Sequence, residues 1–350
     1  MAAVMTSERP RGRGWGRIVL IASVALIAVS AFFVEDWHQL WTILSTPDNV
    51  PIAGILFLVP FFTWLGVRQA NANDRLIEQL EADPQAAKTA HRKTQPWRPG
   101  WARELHVWPY LIRIEFLAAV IVTVILFVWS ILINAPLEEP ANPNLTMNPS
   151  KAPWYFLGLQ EMLVYFDPWI AGVVLPTMII TGLILVPYCD KNPKGVGYYT
   201  LKERPFAVGT FMFGFLILWI SLIIMGTFLR GPNWNFFGPF EYWDVHKTEP
   251  LSNINLSEYF WVMGLGQALP TNPIVREMPG ILLTLGYLFA LPPLLAFTVA
   301  KGLYKHTGFI RYNLVMIHLL AMVGMVVKMV LRWTINLKYV VFIPEWFFNI

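Results

Sequence analysis

The sequence has few of the residues that bind metal centres or cross-link a chain. Its 350 residues include one cysteine, Cys189, and six histidines. A single cysteine excludes a disulfide within the chain and an iron–sulfur cluster held by this chain's own thiolates. Because no C-x-x-C-H motif occurs, covalently attached haem is excluded as well. Charged residues are also scarce, at 14% of the chain.

Apolar residues dominate the composition instead. Hydrophobic side chains make up 56% of the residues, aromatic side chains make up 15%, and the mean hydropathy is +0.50. Soluble globular domains carry about 25% charged residues, far more than this chain does. The composition therefore excludes an ordinary soluble domain and predicts an integral membrane protein.

Long apolar runs predict the membrane-spanning helices. About 20 helical residues, each rising about 1.5 Å, cross a hydrocarbon core of roughly 30 Å. Seven runs are long enough, the second being the shortest: 16–34, 51–67, 111–134, 169–188, 206–229, 280–300 and 311–331. The apolar stretch 256–269 is too short to cross and predicts an interfacial or re-entrant helix. The expected fold is an all-α, polytopic transmembrane helical bundle of about seven spans.

The distribution of cations predicts the orientation, because Lys and Arg beside short loops are retained on the cytoplasmic side. With a cytoplasmic N-terminus, most of the 26 Lys and Arg residues fall in cytoplasmic segments, including the polar segment 68–110. That segment contains a predicted short helix that starts at Asn73 or Asp74 and ends before Pro84. The sequence thus predicts a multi-pass protein of the bacterial cytoplasmic (inner) membrane. The pI near 9.1 reflects this topology rather than nucleic-acid binding.

The histidines are too few within the membrane for a pair of membrane haems. Each such haem takes two axial histidines, so two haems need four histidines inside spans. By the predicted topology only His318 lies well inside a span. A lone buried histidine is typical of hydrogen-bonded packing, so no metal ligand is predicted in this chain.

A polar segment between the third and fourth runs carries the most distinctive motif. Residues 142–163 read NPNLTMNPSKAPWYFLGLQEML, in which prolines interrupt the chain before a helical pattern begins. Proline is well tolerated in the first turn of a helix, because the N–H that it lacks would be unpaired there. The pattern predicts a short interfacial helix that starts near Pro153 and carries the PWY motif, Pro153-Trp154-Tyr155.

Residues 135–163 resemble the loop that follows the first helix in the C-terminal half of cytochrome b, which is a separate subunit IV in split complexes. Residues 140–143 are similar to the PADP-like turn of that loop, and PWY is similar to its Pro-Glu-Trp-Tyr motif. Residues 108–109, Trp-Pro, resemble the start of the first helix of this half. Residues 204–207, Arg-Pro-Phe-Ala, resemble the Arg-Pro-x-Ala sequence that opens its third helix. The resemblance covers about residues 104–230.

This resemblance divides the chain into three parts. Residues 1–103 are an N-terminal extension with two spans and a cytoplasmic polar loop, and residues 104–230 are the subunit IV-like domain. Residues 231–350 hold an aromatic loop on the electropositive side and two C-terminal spans. Both extensions go beyond the three-helix subunit of the family.

The resemblance implies a membrane subunit of a quinol:cytochrome c oxidoreductase, inactive on its own, that serves respiratory electron transport and proton translocation. Quinol, with menaquinol as one candidate, would be oxidised on the electropositive side, where the cation count independently places residues 135–168. The implied partners are a cytochrome b N-terminal-half subunit with haem b, a Rieske-type protein with a [2Fe–2S] cluster, and a c-type cytochrome. A nucleic-acid partner is not expected.

The PWY motif departs from the family at one position. Pro153 stands where the family has the Glu thought to take a quinol proton, so proton acceptance must move elsewhere or be lost. Glu161 is the expected substitute, because on the predicted helix it shares a face with Trp154 and Gly158. Gly158 is expected to leave room for a flat ring. Tyr155 matches the tyrosine of the family and is expected to hydrogen-bond the quinol.

The site predictions therefore centre on this helix. Glu161 and Tyr155 form the predicted catalytic pair, and Arg204 is a further candidate for a quinone or haem contact on the cytoplasmic side. The predicted quinol pocket is lined by Pro153, Trp154, Tyr155 and Gly158. Two other interpretations stay open: a non-redox structural or transporter-like membrane subunit, and a scaffold in a redox complex whose quinol pocket has degenerated.

Overall fold

The part of the chain that the structure describes is mostly helical (73%). A computed structural model of the chain describes residues 36–83, 85–86, 107–134, 140–191, 199–238, 241–249 and 252–350, with a few single positions between 21 and 34. In this described part, six helices are long and apolar enough to cross a membrane. The predicted all-α, polytopic helical bundle is thereby confirmed. The predicted first span, 16–34, lies almost entirely outside the described residues.

The six spanning helices follow the predicted apolar runs. They are α2 (Val50–Ala82), α3 (Ile112–Leu132), α5 (Ile170–Cys189), α6 (Pro205–Leu229), α8 (Met278–Phe297) and α10 (Phe309–Ile335). The shorter helices are α1 (Trp37–Ser45), α4 (Trp154–Met162), α7 (Pro273–Arg276) and α9 (Lys301–Thr307). Strands β1 (Phe342–Ile343) and β2 (Phe348–Asn349) form an antiparallel hairpin.

Several segments have wider or tighter turns than a regular α-helix. The π-helical segments are Val107–Leu111, Ile170–Val174, Phe213–Ile220, Met225–Leu229, Glu258–Gly264 and Gly286–Ala290. The 3₁₀ turns are Pro47–Asn49, Pro232–Trp234 and Pro344–Trp346. The segment Glu258–Gly264 lies within the stretch predicted to form a short interfacial or re-entrant helix.

One prediction about the helices is wrong. The second run was expected to end near residue 67, with a separate short helix starting at Asn73 or Asp74, but α2 continues without a break for 33 residues. No proline or glycine occurs between Gly66 and Pro84, so nothing in the backbone interrupts the helix. The helix ends at Ala82, before Pro84, as predicted.

Two compact units make up the chain. The first comprises residues 1–146, 192–205 and 239–242, and the second comprises residues 147–191, 206–238 and 243–350. This division into two units reflects which residues pack against one another. The three-part division at residues 103 and 230 rests on the family resemblance and stays a prediction.

In the first unit, the polar end of α2 binds residues 199–202. The buried Asp74 carboxylate accepts hydrogen bonds from the backbone N–H groups of Leu201 and Lys202, at 3.1 and 3.3 Å. Asn73 donates to the Tyr199 carbonyl at 2.9 Å. By contrast, none of the most apolar window of α3 is buried in the chain. Its side chains are therefore available to lipid or to another protein.

In the second unit, α4 packs on α6, and α10 packs on both α5 and α8. One buried cluster lies beneath the C-terminal end of α4: Met162, Tyr165, Phe166, Ile170, Ala171, Leu175 and Leu222. A second cluster lies at the opposite ends of the spans: Ala296, Tyr312, Met316 and Leu320. Midway, His318 of α10 has Nδ1 2.7 Å from the Leu314 carbonyl and Nε2 3.2 Å from Thr181 Oγ1 of α5. The ring thus joins two spans, in keeping with the predicted packing role.

Three sets of residues meet at the same ends of the spans in the second unit: 147–169, the described residues of 230–238 and 243–277, and 336–350. Asn148 donates to Asn233 at 2.9 Å, and Asn349 donates to Asp167 at 2.9 Å. The backbone N–H of Leu256 donates to the Tyr339 carbonyl at 2.9 Å. These three sets of residues therefore lie on one side of the membrane. The assignment of that side as electropositive stays a prediction.

The C-terminal tail crosses α8 so closely that only glycine fits at the crossing. A Cβ on Gly280 would lie 1.8 Å from the Val340 carbonyl oxygen. We expect Gly280→Ala to lower the free energy of unfolding by about 3 kcal/mol, the upper part of the range for overpacking. Denaturant unfolding of the purified chain in detergent measures this loss.

The matched control is Gly286→Ala in the same helix, where a Cβ would meet nothing within 4 Å. It should leave stability unchanged or raise it by up to about 1 kcal/mol, because alanine favours helix. Equal stability of the two variants would show that the tail does not pack against α8 as described.

Candidate functional site

The start of α4 is fixed by Pro153 and by Gln160, a side chain of the second turn of the helix. Pro153 has φ −52° and ψ 149°, and its carbonyl accepts the N–H of Phe156 at 2.8 Å. Gln160 reaches back to the preceding loop: Oε1 accepts from the Ala152 N–H and Nε2 donates to the Ser150 carbonyl, both at 2.8 Å. The loop is therefore folded onto the helix, and the PWY motif enters α4 in one defined direction.

One face of α4 is buried against α6. Gly158 is buried, and a Cβ placed on it would lie 3.4 Å from Ile223, 3.7 Å from Leu222 and 3.8 Å from Trp219. A Cβ on Gly226 would in turn lie 3.2 Å from the Leu157 carbonyl. The space beside Gly158 is thus filled by α6. The sequence predicted room for a flat ring at this position, and the structure leaves none.

Glu161 lies on the same buried face and forms an ion pair with Arg230, at the end of α6. Its side chain is 0% exposed. Arg230 Nη2 donates to Oε1 at 2.8 Å and Nε donates to Oε2 at 3.0 Å, a two-pronged geometry that suits guanidinium and carboxylate. Arg230 also donates to the Trp234 carbonyl at 3.2 Å. Breaking such a buried pair by removing one partner costs about 3–5 kcal/mol.

A hydrogen-bonded chain extends this pair to α10. The Tyr165 hydroxyl donates to Glu161 Oε1 at 2.9 Å and accepts from Trp333 Nε1 at 3.2 Å. Burial, together with the Glu161 carboxylate, raises the pKa of the Tyr165 hydroxyl, which therefore stays protonated and remains a donor. Lys328 of α10, only 4% exposed, donates to the Tyr165 carbonyl at 3.0 Å and to the Lys338 carbonyl. The network ties α4, α6 and α10 together.

A second cation approaches the same carboxylate from the loop before α4. Lys151 Nζ donates to the Thr227 carbonyl at 2.8 Å and lies 4.4 Å from the centre of the Trp243 ring. Burial lowers the pKa of Lys151 to about 7, although the Glu161 carboxylate opposes the shift. The amine can therefore lose its proton close to neutral pH.

The predicted site residues fall into separate groups. Gly158 and Glu161 lie on the buried face of α4, whereas Tyr155 is 50% exposed and Pro153 is exposed too. Trp154 is half-buried, with its ring edge-on to Tyr155 at 5.6 Å. The structure therefore does not bring Tyr155 and Glu161 together. Arg204 belongs to the first compact unit, just before α6.

Sequence reasoning missed Arg230. The residue follows the last apolar residue of α6 and precedes Gly231-Pro232, a position typical of a cation at a membrane interface. Arg230 and Glu161 are 69 residues apart in the sequence, so no local pattern indicates that they pair. A buried glutamate on a short apolar helix was itself a signal that a cation lies nearby.

The described residues contain no group of three or more His, Cys, Asp or Glu side chains arranged to hold a metal ion. The charged side chains of the network bond to one another, to backbone carbonyls and to aromatic side chains. Chemically, this arrangement can fix the orientation of α4 and present the exposed face that carries Tyr155. The Lys151 amine can also release or take up a proton near neutral pH.

The lowered pKa of Lys151 gives a testable dependence of stability on pH. The unfolded chain holds the lysine proton up to about pH 10.5, whereas the folded chain loses it near pH 7. Stability of the wild type should therefore rise from pH 7 to pH 9 relative to Lys151→Met. Below the folded pKa the difference between the two proteins should be constant. Thermal unfolding in detergent across this range measures the difference.

Parallel pH profiles of the two proteins from pH 7 to pH 9 would contradict this expectation. Lys191→Met is the matched control, because Lys191 lies in the exposed connection after α5. That variant should follow the wild-type profile.

Comparison with known families agrees with the resemblance. Residues 140–239 match the family described as Cytochrome b(C-terminal)/b6/petD. The matched segment contains α4, α5, α6 and both members of the Glu161–Arg230 pair. It begins later and ends later than the resemblance drawn from the sequence, which ran from about 104 to 230. No solved structure matches the chain.

The match confirms the predicted resemblance, and it supports a membrane subunit of a cytochrome bc/b6f-type redox complex. Such complexes have cytochrome and iron–sulfur components and bind quinone. Residues 140–239 are therefore similar to the C-terminal part of cytochrome b, which is subunit IV in split complexes.

Proposed function

We propose that this chain forms one wall of the quinol-oxidising site in a quinol:cytochrome c oxidoreductase of the cytochrome bc/b6f type. The match of residues 140–239 to the cytochrome b C-terminal family carries the proposal. The PWY helix would lie on the electropositive side of a bacterial cytoplasmic membrane, with the N-terminus cytoplasmic. Menaquinol is the quinol that we favour, given the altered motif.

The exposed face of α4 supports a role in binding the quinol ring. Tyr155 and Phe156 are both about half exposed, and their rings lie 4.7 Å apart between centres. They stand at the ends of the spans, where a hydrophobic quinol would approach from the lipid. In this position the Tyr155 hydroxyl can hydrogen-bond a quinol oxygen, while the neighbouring rings exclude water.

The haem and the iron–sulfur cluster would belong to partner subunits. Among the described residues, His318 is the one histidine inside a spanning helix, and both of its ring nitrogens lie within hydrogen-bonding distance of other groups of this chain. His318 therefore does not fit the role of an axial haem ligand. The proposed partners are a cytochrome b N-terminal-half subunit with haem b, a Rieske-type protein and a c-type cytochrome, which would supply the electron acceptors.

Glu161 has two proposed roles, and the geometry favours one of them. As a proton acceptor it would replace the carboxylate that Pro153 lacks, but its side chain is 0% exposed and bonded to Arg230 and Tyr165. As a positioning residue it needs no contact with quinol, because the ion pair fixes which face of α4 is exposed. We propose the positioning role, and we keep proton acceptance as the hypothesis that kinetics must exclude.

Purification of the tagged chain tests the function as a whole. The proposal requires that b-type haem and a Rieske-type cluster co-purify with the chain and that the assembly oxidises quinol. In that assembly, Tyr155→Phe should lower the turnover of quinol about 10-fold, because the hydroxyl that orients the substrate is lost. Tyr188→Phe, which removes an exposed hydroxyl at the opposite end of α5, is the matched control and should keep wild-type turnover.

Absence of haem from the purified assembly would overturn the proposal. Haem with no quinol oxidation would instead identify a scaffold whose pocket has degenerated. Wild-type turnover by Tyr155→Phe would remove Tyr155 from the site.

The same assembly separates the two roles of Glu161. If the ion pair positions α4, then Glu161→Gln and Arg230→Gln should lower turnover to similar extents. The double variant should be no slower than either, because neither member of the pair is then left charged without its partner. If Glu161 accepts the proton, Glu161→Gln should lower turnover far more than Arg230→Gln does, in both backgrounds, and the remaining turnover should have a flatter pH profile. The second pattern would contradict the positioning role.

A further inference from the structure

The C-terminal hairpin ends in an exposed aromatic tip. Strand β1 pairs with β2 in the register Phe342 with Asn349 and Ile343 with Phe348. The connection between them, residues 344–347, reads Pro-Glu-Trp-Phe. Trp346 is 58% exposed and Phe347 is 88% exposed. In this hairpin tip, the two largest apolar side chains therefore contact little of the chain.

The hairpin is held firmly by residues that directly precede two spans. Glu345 accepts from Arg276 Nη2 at 3.0 Å and from Nη1 at 3.1 Å. The Phe342 N–H donates to the buried Glu277 carboxylate at 2.9 Å. Asn349 bonds on the other edge, where its carbonyl accepts from Trp169 Nε1 at 3.2 Å. Hydrogen bonds hold the hairpin on both edges, so the tip is exposed although its flanks are bonded to the chain.

These contacts set the depth of the hairpin tip relative to the membrane. Trp169 immediately precedes α5, which begins at Ile170, and Glu277 immediately precedes α8, which begins at Met278. Residues at the start of a spanning helix lie at the boundary between hydrocarbon and headgroups. Trp346 is one residue from Glu345, so the tip lies within a few ångströms of that boundary.

The backbone at Phe347 adds an independent observation. Phe347 has φ 51° and ψ 34°, the left-handed region that asparagine or glycine adopts far more easily. In water, a phenylalanine here would have an unfavourable backbone and a fully hydrated ring. Phe347 combines a left-handed backbone with an exposed ring at a hydrogen-bonded tip. This combination indicates that the ring has an apolar environment outside the chain.

The charges around the tip fit a lipid surface. Hydrogen bonds from Arg276 lower the pKa of the Glu345 carboxyl, so the acid beside the tip remains ionised and paired. The tip itself carries no unpaired charge. Tryptophan is enriched where the headgroups meet the acyl chains, because its ring is apolar and its N–H is polar.

We propose that Trp346 and Phe347 insert into the headgroup–acyl boundary of the adjacent leaflet and anchor this side of the protein to lipid. The rings would lie in the plane of the interface beside α5 and α8. The hairpin then acts as a lateral support for the spans rather than as part of the quinol site. This inference does not depend on the proposed function.

Spin labels on the full chain in lipid vesicles test the anchor. In a Cys189→Ala background, a nitroxide is attached at Phe347→Cys, and its collision rates with oxygen and with a water-soluble nickel chelate are measured. Oxygen concentrates in the bilayer and the chelate stays in water, so their ratio reports depth. Two reference labels bracket the scale: Leu283→Cys on the exposed surface of α8, and His246→Cys in an exposed loop on the hairpin side.

The anchor predicts an oxygen-to-chelate ratio at residue 347 severalfold above that at residue 246 and below that at residue 283. A ratio equal to that at residue 246 would overturn the proposal, because the tip would then lie in water. A label protected from both reagents would overturn it as well, because a second copy of the chain would then cover the tip. The measurement is repeated in the purified assembly within vesicles. Protection of the label from both reagents there would show that a partner subunit covers the tip, and it would also overturn the proposal.

Discussion

The buried pair between Glu161 and Arg230 is the constraint on which the rest of the candidate site depends. A carboxylate without exposure is tolerable only with a bonded cation, so α4 cannot rotate without breaking the pair. Successive helical residues differ by about 100° around the axis, so a fixed buried face also fixes the exposed one. The exposure of Tyr155 thus follows from the ion pair, although the two residues never touch.

The same pair bears on the similarity of residues 140–239 to the C-terminal part of cytochrome b. Pro153 stands where the Pro-Glu-Trp-Tyr motif that the sequence resembles has its carboxylate, while Glu161 follows eight residues later, about 80° around the helix axis. Proline at that position helps the loop to enter α4, and Gln160 completes the entry by bonding to Ser150 and Ala152. The acid thus shares its helix with the motif, but it faces spans of its own chain. The exposed surface of α4 carries the aromatic residues Tyr155 and Phe156.

Much of the fold could be predicted from the sequence, because membrane spans are encoded locally by length and hydropathy. The break expected within α2 is wrong, because the change from apolar to polar residues does not end the helix. Polar residues such as Gln and Glu continue a helix as well as leucine does. The helix periodicity placed Gly158 and Glu161 on one face correctly, but it could not say that α6 covers that face. Arg230 escaped prediction for the same reason, because tertiary contacts join residues that sequence patterns keep apart.

The length of α2 has a mechanical consequence. Its 33 residues extend about 50 Å, whereas the hydrocarbon core is only roughly 30 Å thick. The polar portion after Arg68 therefore extends out of the bilayer as a continuous helix. Residues 199–202 are hydrogen-bonded to this portion through Asp74. A small tilt of the embedded portion would be amplified into a larger sideways displacement at the far end. α2 thus couples the angle of a helix in the lipid to the position of a loop outside it.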